Sequence, residues 1–187
     1  MAEVAAHMSY QAYLDLESES DARYEYVAGQ VFAMAGGSPE HARLRLAVGA
    51  ELRAALANKR CAVFGSELKL RIDATDRSTY ADASVFCEAP TPSTHDRNAL
   101  TDPQVVVEVL SPGTEASDRG EKFAHYRKLP SLKEYVLVTQ DAPRVEVFRR
   151  GQGGEWILRS YGVGENAALP SLGIALSVDA IYRDPLG

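Results

Sequence analysis

Five residues, Val105-Val106-Val107-Glu108-Val109, limit what this chain folds into more than any other stretch. A run of β-branched apolar residues reads as a strand buried on both faces, and so as the middle of a core. Glu108 breaks the run with a carboxylate, which is costly inside unless it is paired, protonated or bound to a cation. Ser111-Pro112-Gly113 then ends the strand, and Thr114 is placed to cap the next helix. Asp118 and Lys122, four residues apart, share one side of that helix. A buried acid at a strand end, with a lysine projected back from the following helix, is what a metal-dependent active site requires.

The flanking chain supplies candidate partners. Ser9 to Leu16 reads as a short capped helix, and Arg23 to Met34 as a hairpin turning at Ala28-Gly29, with Tyr24, Tyr26 and Val31 on one face and Glu25 on the other. Ser38-Pro39 opens a helix running to about Asn58, with His41 in its first turn. Cys61 to Phe64 and Glu67 to Ile72 follow as strands, the second with Leu68, Leu70 and Ile72 inward and Lys69 and Arg71 outward. Tyr80 to Cys87 reads as a third strand carrying Asp82, and Glu88 to Asp102 as an exposed loop. Beyond the opening stretch come a strand at Glu134 to Thr139, a hairpin from Pro143 to Tyr161, and an apolar tail from Leu169 to Tyr182 that closes the core. The expected fold is α+β with an α/β core, as one domain over residues 1–187.

Composition excludes several classes. No apolar run approaches the ~20 residues of a membrane span, and the first residues lack the basic start and apolar centre of a signal peptide, so a cytoplasmic location is expected. Cys61 and Cys87 stand in no CxxC or Cys/His cluster and read as small buried side chains, which argues against structural zinc. A net charge of -6 argues against broad nonspecific nucleic-acid binding. Yet His41 to Asp73 holds seven positive and three negative residues. That basic segment fits either a solvated helix face or a surface bordering a phosphate-bearing substrate.

Asp82 and Glu108 on neighbouring strands would point into one cleft. Two carboxylates, a backbone carbonyl and waters suit magnesium, which keeps several waters in an octahedral shell. A lysine nearby would orient water or offset phosphate charge. At this point the sequence resembles the PD-(D/E)XK nuclease superfamily, and more closely the Uma-two family of bacterial endonucleases. The resemblance runs from about Tyr13 to Tyr182. It is carried by Tyr24-Glu25 with Gly29, Gly37-Ser38-Pro39-Glu40-His41, Phe64-Gly65-Ser66, Tyr80-Ala81-Asp82, Val107 to Pro112, Asp118 to Lys122 with Tyr126, and Leu169 to Gly173. It implies a restriction endonuclease-like mixed sheet flanked by helices, with additional N-terminal and C-terminal β-hairpins. It also implies Asp82, Glu108 and the Val109 carbonyl as ligands of Mg2+ or Mn2+. Ala81 stands where the superfamily has proline, and Leu110 where it keeps its lysine; the resemblance moves that role to Lys122.

Other candidates are double-edged. Glu25 is an extra cleft acid or a cross-strand surface acid. His41 is a group behind the ligands or a capped first-turn residue, and Tyr126 reads as core packing beside Phe123. The leading function is a metal-dependent phosphodiesterase acting on nucleic acid, expected to be DNA, for which double-strand cleavage favours a homodimer. The alternative is a catalytically weak or inactive nuclease-fold module that binds nucleic acid or regulates. A glycoside hydrolase using Asp82 and Glu108 would lack a tryptophan-lined sugar platform, since Trp156 is the only tryptophan.

Overall fold

Buried strand runs and amphipathic helices alternate along this chain, and their order brings two sheets together at Asp82. The computed structural model describes residues 2–5 (backbone alone), 7–34, 36–184 and 186. In chain order the elements are β1 (Ala2–Ala5), α1 (Tyr10–Ser18), β2 (Tyr24–Val27), β3 (Gln30–Ala33), α2 (Pro39–Ala55), β4 (Ala62–Gly65), β5 (Lys69–Ile72), β6 (Arg77–Tyr80), β7 (Ala83–Phe86), β8 (Ala99–Leu100) and β9 (Val105–Val109). After β9 come α3 (Glu115–Ser117), a π-helical turn (Asp118–Lys122) and α4 (Phe123–Tyr126) without a break, then β10 (Glu134–Val138), β11 (Val145–Arg150), β12 (Trp156–Tyr161), β13 (Asn166–Leu169), β14 (Ile174–Ser177) and α5 (Val178–Tyr182).

One sheet has the strand order β12-β11-β10-β9-β7-β4 and the other β1-β3-β2-β6-β5-β8, while β13 and β14 pair separately. The valine strand β9 lies in the middle of the first sheet, parallel to β10 and antiparallel to β7. Period-two alternation divides its side chains between two cores. Val105, Val107 and Val109 pack under α2 and α5 with Leu44, Val48, Leu52 and Ile181. Val106 and Leu110 face the other way, toward Phe123, Tyr126, Tyr135 and Leu137. Full burial of a valine stabilises by roughly 1.5–3 kcal/mol, so slipping β9 by one residue would exchange the two cores. Glu108 therefore faces the α3–α4 side with Val106 and Leu110.

Several local expectations hold. Ser38 caps α2, its side chain accepting from the His41 amide, with Pro39 in the first turn. The β2–β3 hairpin turns through Ala28 at φ 46° and Gly29 at φ 93°, the paired positive values of a tight two-residue turn. The tail closes the α2 core through Leu169, Leu172, Leu176, Val178 and Ile181.

Others are corrected. Tyr80 to Cys87 is not one strand: β6 belongs to one sheet, β7 to the other, and Ala81-Asp82 is the crossing between them. Lys69 and Arg71 do not face solvent, because α1 covers β5 and offers them partners. Lys69 is buried between Glu17 (2.5 Å) and Asp96 (2.8 Å), and Arg71 pairs with Asp73 and Asp76 while lying 4.1 Å from the Tyr10 ring. The loop after Cys87 is partly structural, since β8 pairs with β5 and Asp96 is buried on Lys69. Thr114 does not cap the next helix through its side chain; its hydroxyl lies 2.9 Å from that of Ser111. Cys61 and Cys87 are not separate thiols. They continue the β4–β7 register one step beyond Ala62 opposite Phe86, and are bonded at 2.04 Å. No described helix is long and apolar enough to cross a membrane.

Candidate functional site

Because β7 runs antiparallel to β9 with Ala83 opposite Val107, the residue preceding Ala83 lies beside Glu108. That residue is Asp82, and its Oδ2 accepts the Val109 amide at 2.8 Å. His41, in the first turn of α2, brings Nε2 to 3.3 Å from the same oxygen. That hydrogen bond raises the imidazole pKa against the opposing effect of burial, and the Val109 backbone against the ring adds to it. The helix after β9 supplies the remaining cation. Its π-helical turn carries Asp118 and Lys122, both buried, toward β9, while Arg119 and Glu121 turn outward to Glu146 and Arg77. Insertions of this kind re-aim side chains and recur at functional sites.

Lys122 Nζ lies 2.9 Å from Glu108 Oε1, 3.4 Å from Glu25 Oε1 and 3.7 Å from Asp118 Oδ1. Burial opposes its charge, but Glu108 and Glu25 outweigh that effect, and its pKa lies well above the ordinary lysine value. Glu108 behaves oppositely. Burial pushes its carboxyl up to about 8 despite Lys122, and the charges of Asp118 and Asp82 push the same way. Burial raises Asp118 as well. Burial also works to raise Glu25, yet the charges of Lys122 and Arg77 prevail and hold its carboxyl below the usual value.

All six positions named from the sequence (Glu25, His41, Asp82, Glu108, Val109 and Lys122) line one open cleft of about 840 Å³. Glu25 reaches it as a buried acid, not a surface one. Sequence reasoning missed three contributors. Arg77, fully buried, donates to Glu25 Oε2 at 2.9 Å, and Thr79, two residues on along the same strand face, donates to Glu25 Oε1 at 2.5 Å. Tyr126 is packed in the core as expected, but its hydroxyl also donates to Glu108 Oε1 at 2.8 Å. The available signal was its spacing of four from Lys122 on one helix face. The basic segment contributes less than expected. Arg45 lines the cleft, whereas Arg43 pairs with Glu40 and Lys69 and Arg71 are buried against α1. Trp156 packs edge-on against Phe123, among core aromatics rather than in the cleft.

No group of three or more His, Cys, Asp or Glu side chains among the described residues is arranged as a metal cage. Magnesium does not need one, since one or two carboxylates with carbonyl and water oxygens suffice. The donor chemistry fits. Four carboxylates (Glu25, Asp82, Glu108 and Asp118) line the cleft with the cations Lys122 and Arg77, an excess of negative charge there, and burial, with the charges of Asp118 and Asp82 adding to it, holds the Glu108 carboxyl up at about 8. A divalent cation beside Asp82 and Glu108 would relieve that excess.

A protein of Synechocystis, "Uncharacterized protein slr1290", is 35% identical over 179 residues, covering 94% of this chain and 92% of the relative. A second Synechocystis protein, "Uncharacterized protein sll1609", is 31% identical over 157 residues, covering 84% and 88%. The crystal structure of "a putative nuclease belonging to DUF820" from Anabaena variabilis superimposes with a TM-score of 0.70 over 91% of this chain and 97% of that one, at 18% identity, which shows a shared fold. Residues 10–180 match the Uma2 family, described as "Putative restriction endonuclease". With a match over nearly its whole length, the chain belongs to the Uma2 family of nuclease-like proteins.

Proposed function

We propose that this protein is a metal-dependent endonuclease that hydrolyses phosphodiester bonds in DNA, with Asp82, Glu108 and the Val109 carbonyl holding Mg2+ or Mn2+ and Lys122 serving as the catalytic lysine. The observation that carries this reading is the 2.9 Å contact between Lys122 and Glu108 on the wall of the cleft that Asp82 also lines. The cation, when bound, would supply charge for the phosphate and acidify the attacking water. The protein's own groups do the positioning. Tyr126 fixes one oxygen of Glu108, and His41 with the Val109 amide fixes one oxygen of Asp82. Lys122 places a fixed positive charge where negative charge grows on a phosphate in the cleft. Arg77 and Thr79 hold Glu25 against the far side of that ammonium. Cutting both strands of a duplex would call for two copies acting together.

The test is nicking of supercoiled plasmid with Mg2+ or Mn2+, with and without chelator, by the parent and by Asp82→Asn. Metal-dependent nicking lost in the variant supports the reading. Binding of DNA without cleavage under any divalent cation would leave a nucleic-acid-binding module on a nuclease scaffold, the alternative reading.

A further inference from the structure

Beyond Asp82 along the cleft wall, the charge changes sign. Arg45 lies on α2 one turn after His41, about 6 Å further along the helix axis, and its charge opposes that of the His41 ring. Its guanidinium donates to Ser66 Oγ at 2.9 Å and has no carboxylate partner among the described residues. Arg23, leading into β2, comes to the same residue from the other sheet and donates to the Ser66 carbonyl at 3.4 Å. Its carboxylate partner, Glu67, is 77% exposed. Ser66 itself is buried in the turn after β4. Ser66 thus accepts from both guanidinium groups, and both arginines line the cleft that holds Asp82 and Glu108.

Such a pair suits a phosphate. Guanidinium groups match phosphate oxygens with paired donors. An exposed ion pair such as Arg23–Glu67 is weak, so a polyanion competes easily for Arg23, and Arg45 has no acid to leave. Glu25, Glu108 and Asp118 gather instead around Lys122, and Asp21, which also lines the cleft, makes no ion pair with Arg23 or Arg45 among the described residues. Resting on the nuclease reading above, we propose that Arg23 and Arg45, gathered at Ser66, form a subsite for a backbone phosphodiester of the nucleic acid, separate from the phosphate that is hydrolysed.

The subsite is tested by fluorescence anisotropy of a short labelled DNA duplex, titrated with salt in the presence of chelator so that cleavage does not intervene. Each phosphate contact contributes about 0.9 to the slope of log affinity against log salt. Arg45→Gln is expected to lower that slope by about 0.9 and to weaken binding, Arg45→Lys to keep most of the slope, and Arg23→Gln to lower it again. Arg53→Gln, which removes an exposed charge from the last turn of the same helix, is expected to leave slope and affinity as in the parent. Thermal melts identify any variant whose loss reflects unfolding, and the comparison of Arg45→Lys with Arg45→Gln then decides. A parent that binds while Arg45→Gln and Arg23→Gln retain its slope overturns the subsite but not the nuclease reading. A parent that fails to bind DNA overturns both.

Discussion

Lys122 reaches Glu108 across the gap between a helix and the central strand, closing a contact of 2.9 Å inside the protein rather than at its surface. An open cleft lysine would contribute little to folding, but this one is 7% exposed and faces three carboxylates. Removing one partner of a buried pair leaves an uncompensated charge and costs about 3–5 kcal/mol. Lys122→Met is therefore expected to abolish metal-dependent nicking and to lower the denaturant midpoint substantially, with part of the stability restored in the double variant with Glu25→Gln, which removes the ionised acid facing Lys122. Equilibrium unfolding of the three proteins checks this; a single variant as stable as the parent would contradict the buried-pair account.

Glu108 gives metal-free protein a characteristic pH dependence. Its carboxyl holds a proton up to about pH 8 in the fold, whereas in the unfolded chain it loses it near ~4.3. The folded state binds the extra proton between those values. The stabilising contribution is therefore complete below the unfolded pKa and lost as pH rises through about 8. Asp118, also raised, acts in the same direction, while Glu25, lowered, acts oppositely. The Glu108 part is isolated by comparing parent with Glu108→Gln across this window. Parent stability should fall relative to the variant as pH rises, and parallel curves would refute the assignment.

Tyr126 and Lys122 both engage Oε1 of Glu108, which orients the carboxylate toward the cleft. Groups that orient a metal ligand are commonly worth 10–100-fold in affinity. Tyr126→Phe keeps the ring in its core position and is expected to weaken Mn2+ binding by about tenfold or more, as read by calorimetry. Unchanged Mn2+ affinity would reduce Tyr126 to packing alone.

His41 reports on Asp82. The hydrogen bond that His41 donates to Asp82 is the largest influence raising its pKa, so Asp82→Asn should move the His41 titration to lower pH. The midpoint is measured from the imidazole proton resonance in metal-free protein. A midpoint that stays where it is in the parent would mean the two groups are not coupled in solution.

Much of this arrangement was legible before any tertiary structure. The valine run dictated a central strand, its alternation put Glu108 opposite Val107 and Val109, and the spacing of Asp118, Lys122 and Tyr126 put them near one helix face. Ser38-Pro39 announced α2 and with it the place of His41. These are local signals, because backbone periodicity and capping depend on residues within a few positions of each other. The pairing of β7 with β9 was harder to read, since Tyr80 to Cys87 looks continuous while the chain changes sheets at Ala81-Asp82.

Which charges meet depends on the packing of distant segments. Arg77 finds Glu25 across 52 positions and Arg45 finds Ser66 across 21; no periodicity links such pairs, because their proximity comes from the order of strands in a sheet. The same holds for Lys69 and Arg71, whose outward alternation marks a common face but not solvent, since α1 covers it with Glu17 and Tyr10. Local sequence sets which side chains share a strand face or a helix turn. Tertiary structure determined what lies against that face, and burial there decides whether a carboxylate such as Glu108 is charged, paired or protonated.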